Sequence, residues 1–384
     1  MFTWREKIGI VIVAGSRTRY LFRLLKQVLA EPGFSREDLF ISVDGCYNET
    51  IKLLELFPLK YRVHRPEGQL NSKISRHVRF ALFKAQEVLD MDKFIILEDD
   101  LVISPDFYSY MQQTSVVLDK DPSVYGVSAY SHFSYEHTAK DPTRLTRVHS
   151  HPSLGWMVKR SFLMEILPLW IPSFVTIDWD YWMGTDFVRR GREIILPEIS
   201  RISHGGFTGI HVSGLLAKKI YSNKPVSSSP HTVVNLTTID QSVTEQEIED
   251  LMSKAAFLNV TNPYNFSYPT SLGEVGVVFV KLTKEDDMIS FRTLAHALRV
   301  WNLDTRDHHH GLWRFPYYNA TLLIVGFPFS KYSKYYKTGY TVVQANDDDM
   351  NKMMDDLNDE QITFSSHYSG DENLIFSFAN NPPS

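Results

Sequence analysis

The run Ile8-Gly-Ile-Val-Ile-Val13 has no polar residue at any alternate position, the pattern of a strand covered on both faces. Such a strand needs helices above and below it. The next residues supply one: Leu21, Leu24, Leu25, Val28 and Leu29 form a single apolar stripe at helical spacing, closed by Pro32-Gly33. The alternation repeats. Leu39 to Val43 is a second strand ending in Asp44-Gly45, and Asn48 can cap a helix carrying Ile51, Leu53 and Leu54. Ile74, Val78, Leu82, Ala85 and Leu89 mark another helix, followed by the strand Phe94-Ile-Ile-Leu97. Ser104-Pro105 offers an N-cap and an N1 proline for a further helix. This β-α-β order implies an α/β fold with a mainly parallel sheet and helices on both faces.

The pattern changes after residue 222. Ser222 to Thr244, rich in Ser, Thr, Pro and Asn, reads as a linker or long loop. It divides a core of residues 1–222 from a smaller α/β unit within 223–384. In that unit Val275 to Leu282 and Leu322 to Gly326 are predicted strands and Ile289 to Trp301 a helix. The acidic stretch Asp347 to Asp356 reads as solvated surface or a fraying tail.

Composition narrows the function. With 43% hydrophobic and 13% aromatic residues the chain can bury a large core, which excludes wholesale disorder. A net charge of −5 excludes a nucleic-acid-coating surface while permitting a local anion pocket. Cys46 is the only cysteine, so neither an intrachain disulfide nor a Cys-based zinc site is available. Asn48, Asn235, Asn259, Asn265 and Asn319 open N-x-[ST] sequons, where chance gives about two, an excess that leans towards a secretory compartment. Met1 to Lys7 is polar and the apolar run after it is too short to cross a bilayer, so no signal peptide or membrane span is expected in this sequence.

In open parallel sheets ligands bind beyond the carboxyl ends of the strands. There the first strand ends in Gly15-Ser16-Arg17, the second in Asp44 and a later one in Glu98-Asp99-Asp100. No G-x-G-x-x-G or P-loop motif occurs at the first turn, which disfavours dinucleotide and P-loop sites. Three adjacent carboxylates repel one another unless a cation or hydroxyl donors meet them, and their oxygens suit Mn²⁺ or Mg²⁺. The alternative is an acidic helix-start cluster. In Asp178-Trp179-Asp180-Tyr181-Trp182 an aromatic face can stack on a sugar beside a carboxylate base; the alternative is a core helix with solvated acids. Arg17 and Arg19 can pair with phosphates or remain surface charges. Asp307-His308-His309-His310 is not expected to bind metal, since adjacent loop histidines do not converge as i, i+4 ligands do.

Taken together, Ile96-Leu-Glu-Asp-Asp-Leu101, Tyr135 to Pro142, Leu154-Gly-Trp156, Asp178 to Met183, Pro197-Glu-Ile-Ser-Arg201 and Gly311-Leu-Trp-Arg314 resemble the β-1,2-N-acetylglucosaminyltransferases that add GlcNAc to mannose. The resemblance spans nearly the whole chain. It implies a GT-A glycosyltransferase fold and inverting, Mn²⁺-dependent transfer from UDP-GlcNAc, with Asp100 as metal ligand. Donor contacts fall on Arg17, Asp44, His77, Glu98, Asp99 and Trp179, and the general base on Asp180. Trp301 and Arg306 match acceptor contacts, Gly205-Gly206 and Gly209 to Gly214 offer hinges for a closing loop, and His211 stands at a phosphate-loop position. The implied acceptor is a mannosylated glycoprotein in the Golgi lumen: O-mannosyl glycoprotein is favoured, with an N-glycan mannose as the enzymatic rival. A non-catalytic glycan-binding module of the same fold is the rival from another class. The family's membrane anchor, stem and disulfides have no counterpart in this sequence.

Overall fold

The computed structural model describes residues 6–68, 70–172, 174–175, 177–205, 224–284 and 287–358. Strands β1 (Ile8–Ala14), β2 (Leu39–Asp44), β3 (Lys60–His64) and β4 (Lys93–Glu98) are joined by helices Thr18–Val28, Asn48–Leu56 and Leu70–Val88. After a short β5 (Leu101–Ile103) come β6 (Val124–Ser128), β7 (Leu145–Val148), β8 (Trp156–Lys159), β9 (Glu193–Pro197) and β10 (Ile202–His204). Eight of these form one sheet in the order β3-β2-β1-β4-β8-β6-β9-β7, while β5 pairs with β10. Only β8 and β7 run against the rest, so the sheet is mainly parallel, as the apolar runs required.

Strand periodicity explains the two-sided burial. Ile8, Ile10 and Ile12 face one core with Leu21, Leu24 and Leu25 of the first helix. Val11 faces the other, with Val78, Ala81, Leu82 and Ala85 of helix Leu70–Val88. Each such Val, Leu or Ile side chain contributes about 1.5–3 kcal/mol by leaving water.

The C-terminal sheet holds β11 (Ala256–Phe257), β12 (Val275–Leu282), β13 (Leu312–Tyr317), β14 (Ala320–Pro328) and β15 (Val342–Val343), in the order β11-β12-β14-β13 with β15 beside β12. Helix Ile289–Ala297 covers one face through Phe291, Leu294 and Ala295. Helix Gln241–Lys254 covers the other through Ile248 and Met252.

Several local expectations are corrected. Asn48 lies inside its helix, not before it; extended Tyr47 holds the cap position and makes no side-chain cap bond. Ser104 and Pro105 precede a helix that begins only at Phe107, and the Ser104 hydroxyl instead donates to Asp106 at 2.6 Å. The described part of the 222–244 stretch is pinned to the main sheet's unit: the Val234 amide donates to Gln113 at 3.0 Å and the Asn235 amide to the Thr143 carbonyl at 2.8 Å. Helix Ile289–Ala297 stops short of Trp301, with Arg299 left-handed just beyond it. The acidic stretch is no fraying tail: Asp347–Asn358 is a helix whose Met353 and Asp349 are buried.

Gly155, immediately before β8, has φ +55, and a Cβ there would lie 2.6 Å from Ile202 Cδ1. Gly155→Ala is expected to lower stability by about 1–3 kcal/mol through left-handed strain and overpacking, read as a lower urea midpoint at unchanged slope.

Candidate active site

The parallel order of β1 and β4 brings the first turn against the acidic triplet. Asp99 accepts the Gly15 amide at 3.0 Å, and its own amide donates to the Val13 carbonyl at 3.1 Å. Arg17 forks between two carboxylates, with Nη2 2.6 Å from Asp99 Oδ1 and Nη1 2.5 Å from Asp100 Oδ2. His204, at the end of β10, places Nε2 3.3 Å from that same Asp100 oxygen. The other oxygen, Oδ1, is buried and has no partner among the described residues.

Electrostatics point the same way. Burial, then repulsion by Asp100 and Asp99, pushes the Glu98 carboxyl up to about 8. Burial raises Asp99 to about 6 despite the opposing pull of Arg17. Burial opposes the charge of Arg17, yet Asp99 and Asp100 more than offset it and hold its pKa above the ordinary value. One guanidinium therefore serves three carboxylates, one of which keeps a buried oxygen unpaired. Hard oxygen donors short of positive charge fit a divalent cation at Asp100.

One strand further out, Asp44 closes β2 and accepts from or pairs with His64 Nδ1 at 2.7 Å. His77 stacks on His64 with ring centroids 5.4 Å apart, and its Nε2 meets the Ser42 hydroxyl at 2.9 Å. Burial lowers His77 to about 4, so it is neutral at physiological pH. His77 thus stands behind His64 and Asp44, buried against the sheet.

On the other side of the triplet, the short helix Trp179–Gly184 rests Trp179 on Trp156 of β8, 5.9 Å between centroids. Asp180 pairs with Arg306 at 2.8 Å. Arg306 is itself fixed by Asp304 at 2.8 Å and donates to the His151 carbonyl at 2.9 Å, while Trp301 Nε1 donates to Asp304 at 2.7 Å. Trp301 is therefore a buried prop for Asp304, and Asp304, Thr305 and Arg306 line a cavity of about 70 Å³ with Asp180, Tyr181 and His151. Asp180 also adds, after burial and its nearer neighbours, to the electrostatics that raise Glu98. A larger cavity of about 280 Å³ lies among Arg144, Glu198, Glu247 and Arg314 and contains none of the expected site residues.

Lys224 is fully buried among Tyr130, Tyr135 and Trp301, donating to the Ser131 and His132 carbonyls. Burial lowers it to about 7, against Asp307, which pulls the other way. Between pH 7 and 10.5 the native state binds fewer protons here than the unfolded chain, so this residue makes stability rise with pH across that window. Lys224→Met is expected to remove the rise. Wild-type stability minus that of the variant should climb by up to about 1.4 kcal/mol per pH unit in denaturant melts above pH 7.

The expected hinge at Gly206 and Gly209 to Gly214, and His211, lie outside the described residues. The histidine tract is a correction: His309 and His310 do converge, on His149 and Glu193, because β7 and β9 present those two side by side. His204, His64 and Asp304 were not anticipated. His204 alone had a visible signal, a histidine directly before a glycine pair at the edge of the expected loop.

The acidic triplet lies at the carboxyl end of a parallel strand, where open α/β sheets bind their ligands, and its oxygens have the chemistry to hold a divalent cation. The chain belongs to the GNT-I family, which its residues 1–349 match. It is 34% identical over 215 residues to the alpha-1,3-mannosyl-glycoprotein 2-beta-N-acetylglucosaminyltransferase of Arabidopsis thaliana, a match covering 52% of this chain. The chain spans about half, 47%, of that curated relative's length. Among solved structures, S. aureus TarS 1-349 in complex with UDP gives a TM-score of 0.37 at 13% identity, covering 50% of this chain and 58% of that one. GalNAc-T7 with UDP, GalNAc and Mn²⁺ gives 0.37 at 12%, covering 51% and 43%. Likenesses this distant speak to neither substrate nor metal. Among the described residues no helix is long and apolar enough to cross a membrane.

Proposed function

We propose that the chain is an inverting glycosyltransferase that moves GlcNAc from UDP-GlcNAc to the 2-hydroxyl of a mannose. The observation that carries this is the Glu98-Asp99-Asp100 triplet together with the Arg306-held Asp180, in a chain of the GNT-I family. Inversion needs one base, and Asp180 takes the proton of the attacking hydroxyl. Arg306 pairs with that carboxylate and lines the same cavity. Glu98 and Asp99 accept or donate hydrogen bonds to donor hydroxyls, Asp44 reads the base edge with His64 and His77 behind it, and Trp179 packs beside the sugar. Arg17 reaches the diphosphate from the same turn that now ties it to Asp99 and Asp100. Asp100 would hold Mn²⁺, which when bound would supply further positive charge for the departing UDP.

For the acceptor, the curated relative supports an α-1,3-linked mannose of an N-glycan. The O-mannosyl reading rests on the Trp301 to Arg306 segment, which puts Arg306 at the cavity. The Golgi lumen is the compartment in which either acceptor would be met. The deciding experiment is UDP-GlcNAc turnover, with and without Mn²⁺, on oligomannose N-glycan and O-mannosyl peptide. Metal-dependent transfer to one of them is expected; binding of mannosides without turnover would establish a glycan-binding module instead.

A further inference from the structure

The histidine-rich loop before β13 carries side chains that the transfer reaction leaves unused. His149 directly follows β7, and Glu193 opens β9 beside it, in a pair where Val148 registers with Ile194. From the C-terminal sheet, His309 and His310 close over them, and one potential ligand atom from each residue lies within 4.8 Å of those of the other three. His149, Glu193 and His309 are buried. We propose that His149, Glu193, His309 and His310 bind one Zn²⁺ ion, which fastens the loop carrying Arg306 to the main sheet.

The donor set selects the ion. Three imidazoles and one carboxylate suit Zn²⁺ in a closed tetrahedral site, whereas Mn²⁺ and Mg²⁺ prefer oxygen. The outer partners that orient metal ligands are also present. His309 Nε2 faces Glu245 at 2.9 Å, and the second oxygen of Glu193 accepts from Arg147 Nε at 2.6 Å. The backbone contributes as well: Asp307 and His310 are held at φ +61 and +50, strained values for side-chain-bearing residues that persist where the surroundings impose them. Burial keeps His149, near 2, and His310, near 4, neutral at physiological pH, the form that ligates.

Without metal, a proton joins His309 Nδ1 to Glu193 Oε1 at 2.5 Å, and His149 Nδ1 accepts the His310 amide at 2.9 Å. Zn²⁺ takes the place of the first proton, which leaves to solvent. His149 then ligates through Nε2, already 3.7 Å from the same Glu193 oxygen, as its proton passes by way of solvent from Nε2 to Nδ1, which gives up the amide bond. The anchored loop is the one that aims Arg306 at Asp180, through the backbone bond from the His149 amide to the His308 carbonyl at 2.8 Å.

The test uses the whole chain, stripped with a chelator and titrated with Zn²⁺ by calorimetry and with Co²⁺ by visible absorption. One tight Zn²⁺ equivalent is expected, retained in Asp100→Ala, with the intense visible bands of tetrahedral Co²⁺. His309→Gln and His310→Gln should each weaken Zn²⁺ by about 100-fold or more. Absence of tetrahedral Co²⁺ bands in the wild-type chain overturns the proposal and leaves His309 as a proton-bridged ion pair. Unchanged Zn²⁺ affinity in both variants overturns it too. If either variant fails to fold, the wild-type Co²⁺ spectrum decides alone.

Discussion

Asp180→Asn is expected to slow GlcNAc transfer by about 10²–10⁴-fold while leaving the donor dissociation constant nearly unchanged. The amide is isosteric with the carboxylate, and its oxygen can still accept from Arg306, which stands 2.8 Å away. The helix Trp179–Gly184 and the Trp179–Trp156 contact therefore persist. What disappears is the capacity to accept a proton from an attacking hydroxyl. Single-turnover kinetics beside calorimetric UDP binding separates these effects, and wild-type turnover in the variant would remove Asp180 from the mechanism.

Asp100→Ala should weaken Mn²⁺-dependent UDP binding by more than about 100-fold without unfolding the chain. The stability half of this expectation comes from the apo electrostatics. Asp100 is the largest electrostatic contribution, after burial, to the raised pKa of Glu98. Removing it relieves one repulsion and leaves Arg17 paired with Asp99 at 2.6 Å. The metal-free variant should thus melt no lower than the wild type at neutral pH, while calorimetry loses the metal-dependent heat. Retained Mn²⁺-dependent binding would move the metal ligand elsewhere.

The strand runs were legible because burial on two faces writes itself as uninterrupted apolar sequence: β2, β4 and β12 fall within a residue or two of their apolar runs. β7 and β8, the antiparallel members, have four residues each and too little length to display a period. Helix starts failed where chain geometry overrode cap chemistry, at Tyr47 and at Asp106. The acidic triplet was visible as an electrostatic anomaly, but its pairing with Arg17 and the Arg306–Asp180 contact join positions far apart in the chain. Such pairings follow from the fold, and no local pattern encodes them. The histidine loop shows the same limit: helical spacing is one way to converge ligands, and two strands plus a loop is another.

The contact between Arg306 and Asp180 joins a loop of the C-terminal sheet to a helix packed on the main one. Heat or denaturant that loosens the seam between the two sheets would release the proposed base from its partner while the proposed nucleotide pocket, whose residues belong to the first sheet's unit, still stood. Activity should therefore fade ahead of bulk melting, and a warmed sample would hold UDP while transferring nothing.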